Sequence, residues 1–569
     1  MSVQTGVELP PGPASERWGD RVAYRWRVWR HAPNPLWVRE MRQSARLLRT
    51  PAILAVVTIL VTLLMATVGG GMASGTASPA EVGRTLYHLY FSVAYFIVAW
   101  VGPAIGANAI ASEREGRTWE AVLLTGMHPA LVARGKFASA FTSMASYLAM
   151  LAPVGAMPFL FGGVTPWEVL VAFVFLLLIA ALAVAFGLAI SAQMESLRGA
   201  LLVALLASVP LSGFLYLTMG VALSGVPAEI WPEVPRSLGP VWLPSAWTHA
   251  PFGLSFVLLL VLLPAAVIGL PGWLLYELTR ARLLSVTDDR SFGLKRWFIV
   301  ASLLTLLTAA LPAAFVPKNE RSLAVIAGMS GYSSFVVFNA FLFAGEAIGP
   351  SRRVRVFLAR AKRWRRALGP GVVEVTRLQL ALMAFAFFAI AGIGLAAIHL
   401  TPGTRRVTMQ TEQIVVFSAY ALGFSYFVIG LGAYVRSRST GGALPRIVLL
   451  SVLTALSFLP WILAAILGLL NGSTSPGDDA ALIAALSPGY GFVAAKALSR
   501  PDPGLALIAS MVASTLYACF GAGLGYAAGA RCRRIIESHE TLLREADERL
   551  AAEDAAATAV RPLPEAAAS

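Results

Sequence analysis

The sequence predicts an all-α fold: a polytopic transmembrane helical bundle of about twelve spans, arranged as two six-helix halves. Three observations predict it. Of 569 residues, 57% are hydrophobic and only 13% charged, with a mean hydropathy of +0.70, a balance foreign to soluble domains. Apolar runs long enough to cross a hydrocarbon layer of about 30 Å recur from Pro51 to Ala530. The basic residues are sided: with the N-terminus inside, alternate segments carry 37 of the 45 Lys and Arg on the cytoplasmic side. That bias sets the orientation, with both termini cytoplasmic, and a missed span would destroy it. It also accounts for the net charge of +15 as membrane topology, so no nucleic acid is expected as a partner.

Residues 1–50 read as a cytoplasmic arm. The start, MSVQTGVELPPGPASERWGD, lacks the basic-then-apolar order of a cleavable signal, so the first span is expected to be a retained helix. From Arg17 to Arg49, nine arginines are interleaved with Trp26, Trp29, Leu36, Trp37, Met41 and Leu48. This composition suits an amphipathic helix at headgroup depth, or two such helices broken at Pro33 and Pro35. A plain positive-inside flank is the alternative.

The first half, 51–277, places spans near 51–73, 86–108, 137–162, 167–192, 200–223 and 252–277, with a cytoplasmic loop at 109–136. The second half, 278–530, places them near 297–316, 323–346, 378–400, 413–434, 447–470 and 504–530. The two longer outer loops precede the sixth and twelfth spans and carry LPSAWTHAPF and LSPGYGFVAA, which suggests an internal duplication. Residues 531–569 begin with an Ala-, Leu-, Glu- and Arg-rich stretch expected to extend the last span as a cytoplasmic helix, followed by a disordered tail.

Several chemistries are excluded. GxxxxGK[ST], HExxH, GxSxG and paired CxxC are absent, the six histidines have no ligand spacing, and Cys519 and Cys532 offer neither a disulfide framework nor a metal site. The chain is therefore expected to be no enzyme and to hold no cofactor. Charges within spans are few: Glu277, Glu346 and Glu412 fall near interfaces, where solvation is expected. Polar handling of a substrate would rest on residues such as Ser92, Tyr95, Asn108, Ser143, Ser334 and Asn339, for which ordinary helix packing is the plainer role.

The loop at 109–136 is the most informative segment. Its charged part, Ser112 to Glu120, can form a short surface helix, with Ser112 as N-cap, Glu115 completing a capping box and Glu113 over Arg117. Pro129 can then open a helix running through Gly135 and Lys136 into the third span. Such an element either docks a soluble partner or is simply a solvated hairpin.

SEREGRTWEAVLLTG, followed after MHPALV by ARGK, resembles the signature of the type-2 ATP-binding-cassette (ABC) permease family. NPLWVREMRQSARLLR, with Arg39, Glu40 and Arg42, is similar to the family's elbow helix before the first span. The resemblance is good over 34–277 and faint over 278–530. It implies an exporter permease without catalytic residues, gripped by a separate ABC ATPase subunit at the coupling loop Glu113, Arg114, Glu115, Gly116, Thr118 and Glu120. ATP and Mg²⁺ would be bound by that subunit, two copies of it per complex. Twelve spans would make one copy of this chain a fused pseudo-dimer in the lipid bilayer of a bacterial inner membrane. The second half departs from the pattern, because GEAIGPSRRVRVFLARAKRWRRALGPG follows the eighth span without the acidic run. A secondary carrier of the major-facilitator type shares the topology but should carry a Gly-x-x-x-Asp-Arg-type loop after its second span. A non-transporting membrane scaffold would need no ATPase.

Overall fold

The computed structural model describes residues 33–44, 49–234, 239–285, 287–400, 407–470, 480–499 and 504–560. The reading of residues 17–32 and of the tail 561–569 lies outside the described residues. Among the described residues there is no strand, and twelve helices are long and apolar enough to cross a membrane. The chain divides into two compact units, Met1–Ser285 and Val286–Ser569.

In the first unit, the elbow helix α1 (Pro35–Ser44) precedes the spans α2 (Arg49–Ala73) and α3 (Pro79–Glu115). The short α4 (Trp119–Leu124) leads to the spans α5 (Pro129–Phe161), α6 (Pro166–Ser191) and α7 (Leu197–Ile230). A short helix, α8 (Trp242–His249), precedes the sixth span α9 (Leu254–Leu283). The helix starts are written in the sequence. Ser78 with Glu81 and Thr165 with Glu168 form capping boxes on α3 and α6, and Pro129 stands in the first turn of α5 behind the His128 cap.

Spans two and four cross closely enough to exclude side chains: a Cβ on Gly187 would lie 2.0 Å from the Pro103 carbonyl oxygen, and one on Gly106 2.3 Å from that of Val184. Around this crossing Tyr87, Tyr90, Phe91, Leu148 and Leu176 form the core. Alanines 107 and 111 of α3 meet alanines 200 and 204 of α7.

The second unit comprises α10 (Phe292–Ala310), α11 (Arg321–Phe343), the short α12 (Arg352–Ala359) and α13 (Arg363–Ala367), α14 (Val372–His399), α15 (Val407–Arg438) and α16 (Ala443–Leu470). The short α17 (Tyr490–Ala497) precedes α18 (Gly504–Val560), which runs on past the twelfth span as one continuous helix. This unit too has close crossings: a Cβ on Gly328 of α11 would be 2.2 Å from the Ala309 carbonyl oxygen of α10, and one on Gly430 of α15 2.4 Å from that of Gly521 in α18. The pairings of spans in the first unit, one with two, two with three and four, three with four, and four with six, each recur six spans later in the second. The helix before the last span also recurs. α8 packs on α6 and is held by Trp242 Nε1 donating to Met219 O at 2.5 Å. α17 packs on α15, beside a turn whose Ala485 and Ser487 carbonyls accept from Tyr420 OH at 2.7 and 2.6 Å.

Candidate functional site

The loop after α3 differs from the expected short surface helix over Ser112 to Glu120. α3 continues unbroken to Glu115, so Ser112 is not an N-cap: its Oγ donates to Asn108 O at 2.5 Å inside the helix, a bond that lets a serine stay helical. The helix stops by a Schellman turn. Arg117 N donates to Arg114 O at 3.1 Å and Thr118 N to Glu113 O at 2.9 Å, with Arg117 at φ 56°, the left-handed position usually given to glycine. Gly116 stands one residue too early for that role. The expected Glu113–Arg117 pair is therefore not formed, because the helix has ended and the chain has turned away.

Glu113 instead sits in a cluster of four charges, in which Glu113 and Lys136 are buried, Glu40 is half-buried and Arg39 is exposed. Lys136, 2% exposed, places Nζ 2.9 Å from Glu113 Oε1 and also contacts Glu40, while Arg39 of α1 contacts Glu113. Two acids and two bases make the cluster formally neutral, which is what allows a lysine to be kept from water at all. The elbow helix is bound to α5 by further contacts: Trp37 Nε1 to Thr142 Oγ1 at 3.2 Å and Asn34 Nδ2 to Leu131 O at 2.8 Å. Leu36 meets Val122 of α4 and Val132 of α5, with Leu283 of α9 packed against them. Arg42 is exposed on the last turn of α1.

The neighbouring loop residues point to the other spans. Arg114 Nη1 donates to Met194 O at 3.0 Å, and its guanidinium lies 5.6 Å from the Trp119 ring centroid. Glu115 Oε2 accepts from Leu197 N at 2.6 Å, placing a carboxylate on the N-terminus of α7, where the helix dipole favours it. Arg134 Nε donates to Tyr276 OH of α9 at 3.3 Å. The loop is thus tied to the elbow, to the third span, to the turn before the fifth and to the sixth.

What remains outward is small and well defined. Gly116, Arg117, Thr118, Glu120 and Ala121 are exposed, and Leu124 is 87% exposed at the end of α4. Glu120, Ala121 and Leu124 share one face of α4 by their spacing. Of the residues singled out from the sequence, exposed Arg39 and half-buried Glu40 thus meet the buried Glu113–Lys136 pair, Arg114 and Glu115 brace the turn before α7, and Gly116, Thr118 and Glu120 are presented outward. Lys136 and Leu124 were missed as site residues. Lys136 has no local signal, since its partners lie 23 and 96 positions away in the chain. Leu124 could have been suspected as an apolar residue closing a short charged helix.

Two carboxylates expected in solvent are buried and paired. Glu277 accepts from Trp273 Nε1 and Arg280 Nη1, both at 3.2 Å, and Glu346 lies 3.3 Å from the fully buried Lys295 Nζ while accepting from Gly371 N at 3.1 Å. Both sit at span ends where neighbouring helices displace water. Four of the polar residues considered for substrate handling are satisfied by packing: Ser92 with Tyr216 OH, Tyr95 with Ser212 O, Ser143 with Ser139 O and Ser334 with Ser330 O. Asn108 takes the Ser112 hydroxyl on its backbone carbonyl, and the fully buried Asn339 donates Nδ2 to Phe335 O while its Oδ1 has no hydrogen-bond partner.

Residues 75–234 match a family described as ABC-2 family transporter protein. The match covers the second to fifth spans and the whole outward face of α4. No curated protein matches the chain.

Proposed function

We propose, from the premise that this multi-pass chain is a membrane permease subunit of the ABC-2 transporter family, that it exports its substrate on energy supplied by a separate ABC ATPase. ATP and Mg²⁺ belong to that ATPase, bound twice per complex, and this chain contributes no catalytic residue. One copy of the chain serves as both halves of the permease, in a bacterial inner membrane with both termini in the cytoplasm. The recurrence of span pairings in the two units supports that stoichiometry, and the distribution of Lys and Arg supports the orientation.

The observation that carries this reading is the division of the 113–124 segment into an outward face and an inward anchor. The ATPase grips Glu120, Ala121, Leu124 and the Gly116–Thr118 turn. Movement of α4 then passes through Val122 to Leu36 and Val132, through Glu113 to Lys136 and the elbow, and through Arg114 and Glu115 to the turn before α7. Packed cores and paired buried charges yield little, so a push on α4 moves these spans together. Most polar residues considered inside the spans are occupied with packing, the Asn339 Oδ1 excepted, which leaves substrate class largely to the shape of the path.

Purification of the tagged chain from its host in a gentle detergent tests the reading. A stoichiometric P-loop ATPase, present in two copies and lost from the Glu120→Arg and Leu124→Asp variants, is the expected result. A chain that purifies alone, with no associated ATP hydrolysis, overturns it.

A further inference from the structure

The segment between the eighth and ninth spans holds the place in the second half that the 109–136 loop holds in the first, without its acidic run, and its structure is specific. Ser351 caps α12 and donates to Thr287 O at 2.6 Å, and Arg353 reaches Asp288 at 3.1 Å. Arg365 of α13 pairs with Asp289 at 2.7 Å and lies 3.5 Å from the Phe292 ring centroid. Phe292 opens α10, and the buried Lys295 one turn later donates to Gly369 O at 2.5 Å, just before α14 begins. α13 is therefore fastened where two spans enter the membrane.

The exposed surface of the pair is basic and aromatic, its two rings bordering the fastening contacts: Phe357 lies 5.7 Å from the Arg365 guanidinium and Trp364 6.0 Å from the Phe292 ring. Arg360, Lys362, Arg363 and Arg366 are exposed, with Phe357 and Trp364 exposed at 59% and 57% among them. Among the described residues, Arg360, Lys362 and Arg363 have no acidic partner, and Arg366 gives its donors to the Ala359 and Ala361 carbonyls. The acids of this region are engaged elsewhere: Asp547 takes Arg352 in a two-point pair at 2.9 Å and Glu540 takes Arg355 at 2.6 Å. Guanidinium and ammonium groups without counter-ions, beside two exposed rings, at the boundary of two spans, make a surface that is satisfied by phosphate above and acyl chain below.

We propose that α12 and α13 form a docking surface for anionic lipid headgroups, with Arg360, Lys362, Arg363 and Arg366 on the phosphates and Phe357 and Trp364 in the interfacial layer. An acidic protein would answer the charge. It would not account for two large rings left in water on a segment with membrane entry on both sides. The inference bears on the proposed function, since a lipid-covered α13 leaves the second ATPase copy a contact unlike the one α4 makes.

The test uses the full chain in nanodiscs of phosphatidylcholine alone and of phosphatidylcholine mixed with phosphatidylglycerol, reading hydrogen exchange over residues 352–366. Exchange slows several-fold in the anionic discs. The slowing disappears in 1 M salt, where the screening length falls from about 8 to about 3 Å. It also disappears in the triple variant Arg360→Gln, Lys362→Gln, Arg363→Gln, whose spans exchange as in the parent. Equal exchange in both lipids overturns the proposal, as does lipid-dependent slowing that survives the triple substitution. Slowing that needs soluble cell extract rather than phosphatidylglycerol also overturns it and assigns the surface to an acidic protein. Should the triple variant misfold, the salt titration on the unmodified chain decides.

Discussion

Lys136 Nζ lies 2.9 Å from Glu113 Oε1, joining the start of the third span to the end of the second inside a protein interior that leaves the lysine 2% exposed. The pair makes the end of α3 part of the bundle rather than part of a loop. Removing one partner leaves the cluster one charge out of balance, although Glu40 still reaches Lys136 and Arg39 still reaches Glu113. Lys136→Ala and Glu113→Ala are therefore each expected to destabilise the chain by about 3–5 kcal/mol. Denaturant unfolding of the purified protein measures this, and a loss below about 1 kcal/mol would mean that water reaches the cluster.

Outward residues should behave in the opposite way. Glu120→Arg and Leu124→Asp are expected to change stability by no more than about 0.5 kcal/mol, because both side chains already stand in solvent. They should nonetheless abolish ATPase association. Measuring unfolding and co-purification on the same samples separates this outcome from general damage.

Arg117 holds the left-handed position of a Schellman turn at φ 56°. Arg117→Gly should relieve about 1 kcal/mol of backbone strain, seen as a rise in the unfolding midpoint. If strain at the turn helps to present α4, the same variant stimulates the ATPase less than the parent does. An unchanged midpoint would refute the strained-turn account.

The crossing of spans two and four tolerates no side chain at Gly187, where a Cβ would meet the Pro103 carbonyl oxygen at 2.0 Å. Gly187→Leu should force the helices apart and cost more than the about 1–3 kcal/mol typical of overpacking. Gly213, where a Cβ would meet nothing within 4 Å, is the matched control: Gly213→Leu should leave the yield of folded protein unchanged.

The spans were legible because hydrocarbon imposes one rule, a long apolar helix, whatever the neighbours are. Pro129 as the opening of the third span was legible for a local reason too: it needs no partner but its own backbone. Apart from Ser112, the readings that failed depended on distant chain. Ser112 has the residue type of a cap, yet continued helix offered its hydroxyl a carbonyl four residues back. Glu113 has the spacing for Arg117, yet Arg39 and Lys136 reach it from far along the sequence. Glu277 and Glu346 lie at span ends where exposure is the default, and packing against other helices closed them off. The division of the 113–124 segment into anchor and face could not be read from residue types, since both parts are charged.

The claim that α4 is the element an ATPase grips is tested most directly by placing a photo-reactive residue at position 124 and irradiating the chain in its native membranes. A cross-linked product containing a P-loop ATPase, absent when the residue is moved to buried position 122, is the predicted result. Irradiation that joins position 124 only to lipid, to this chain or to some other protein would contradict it.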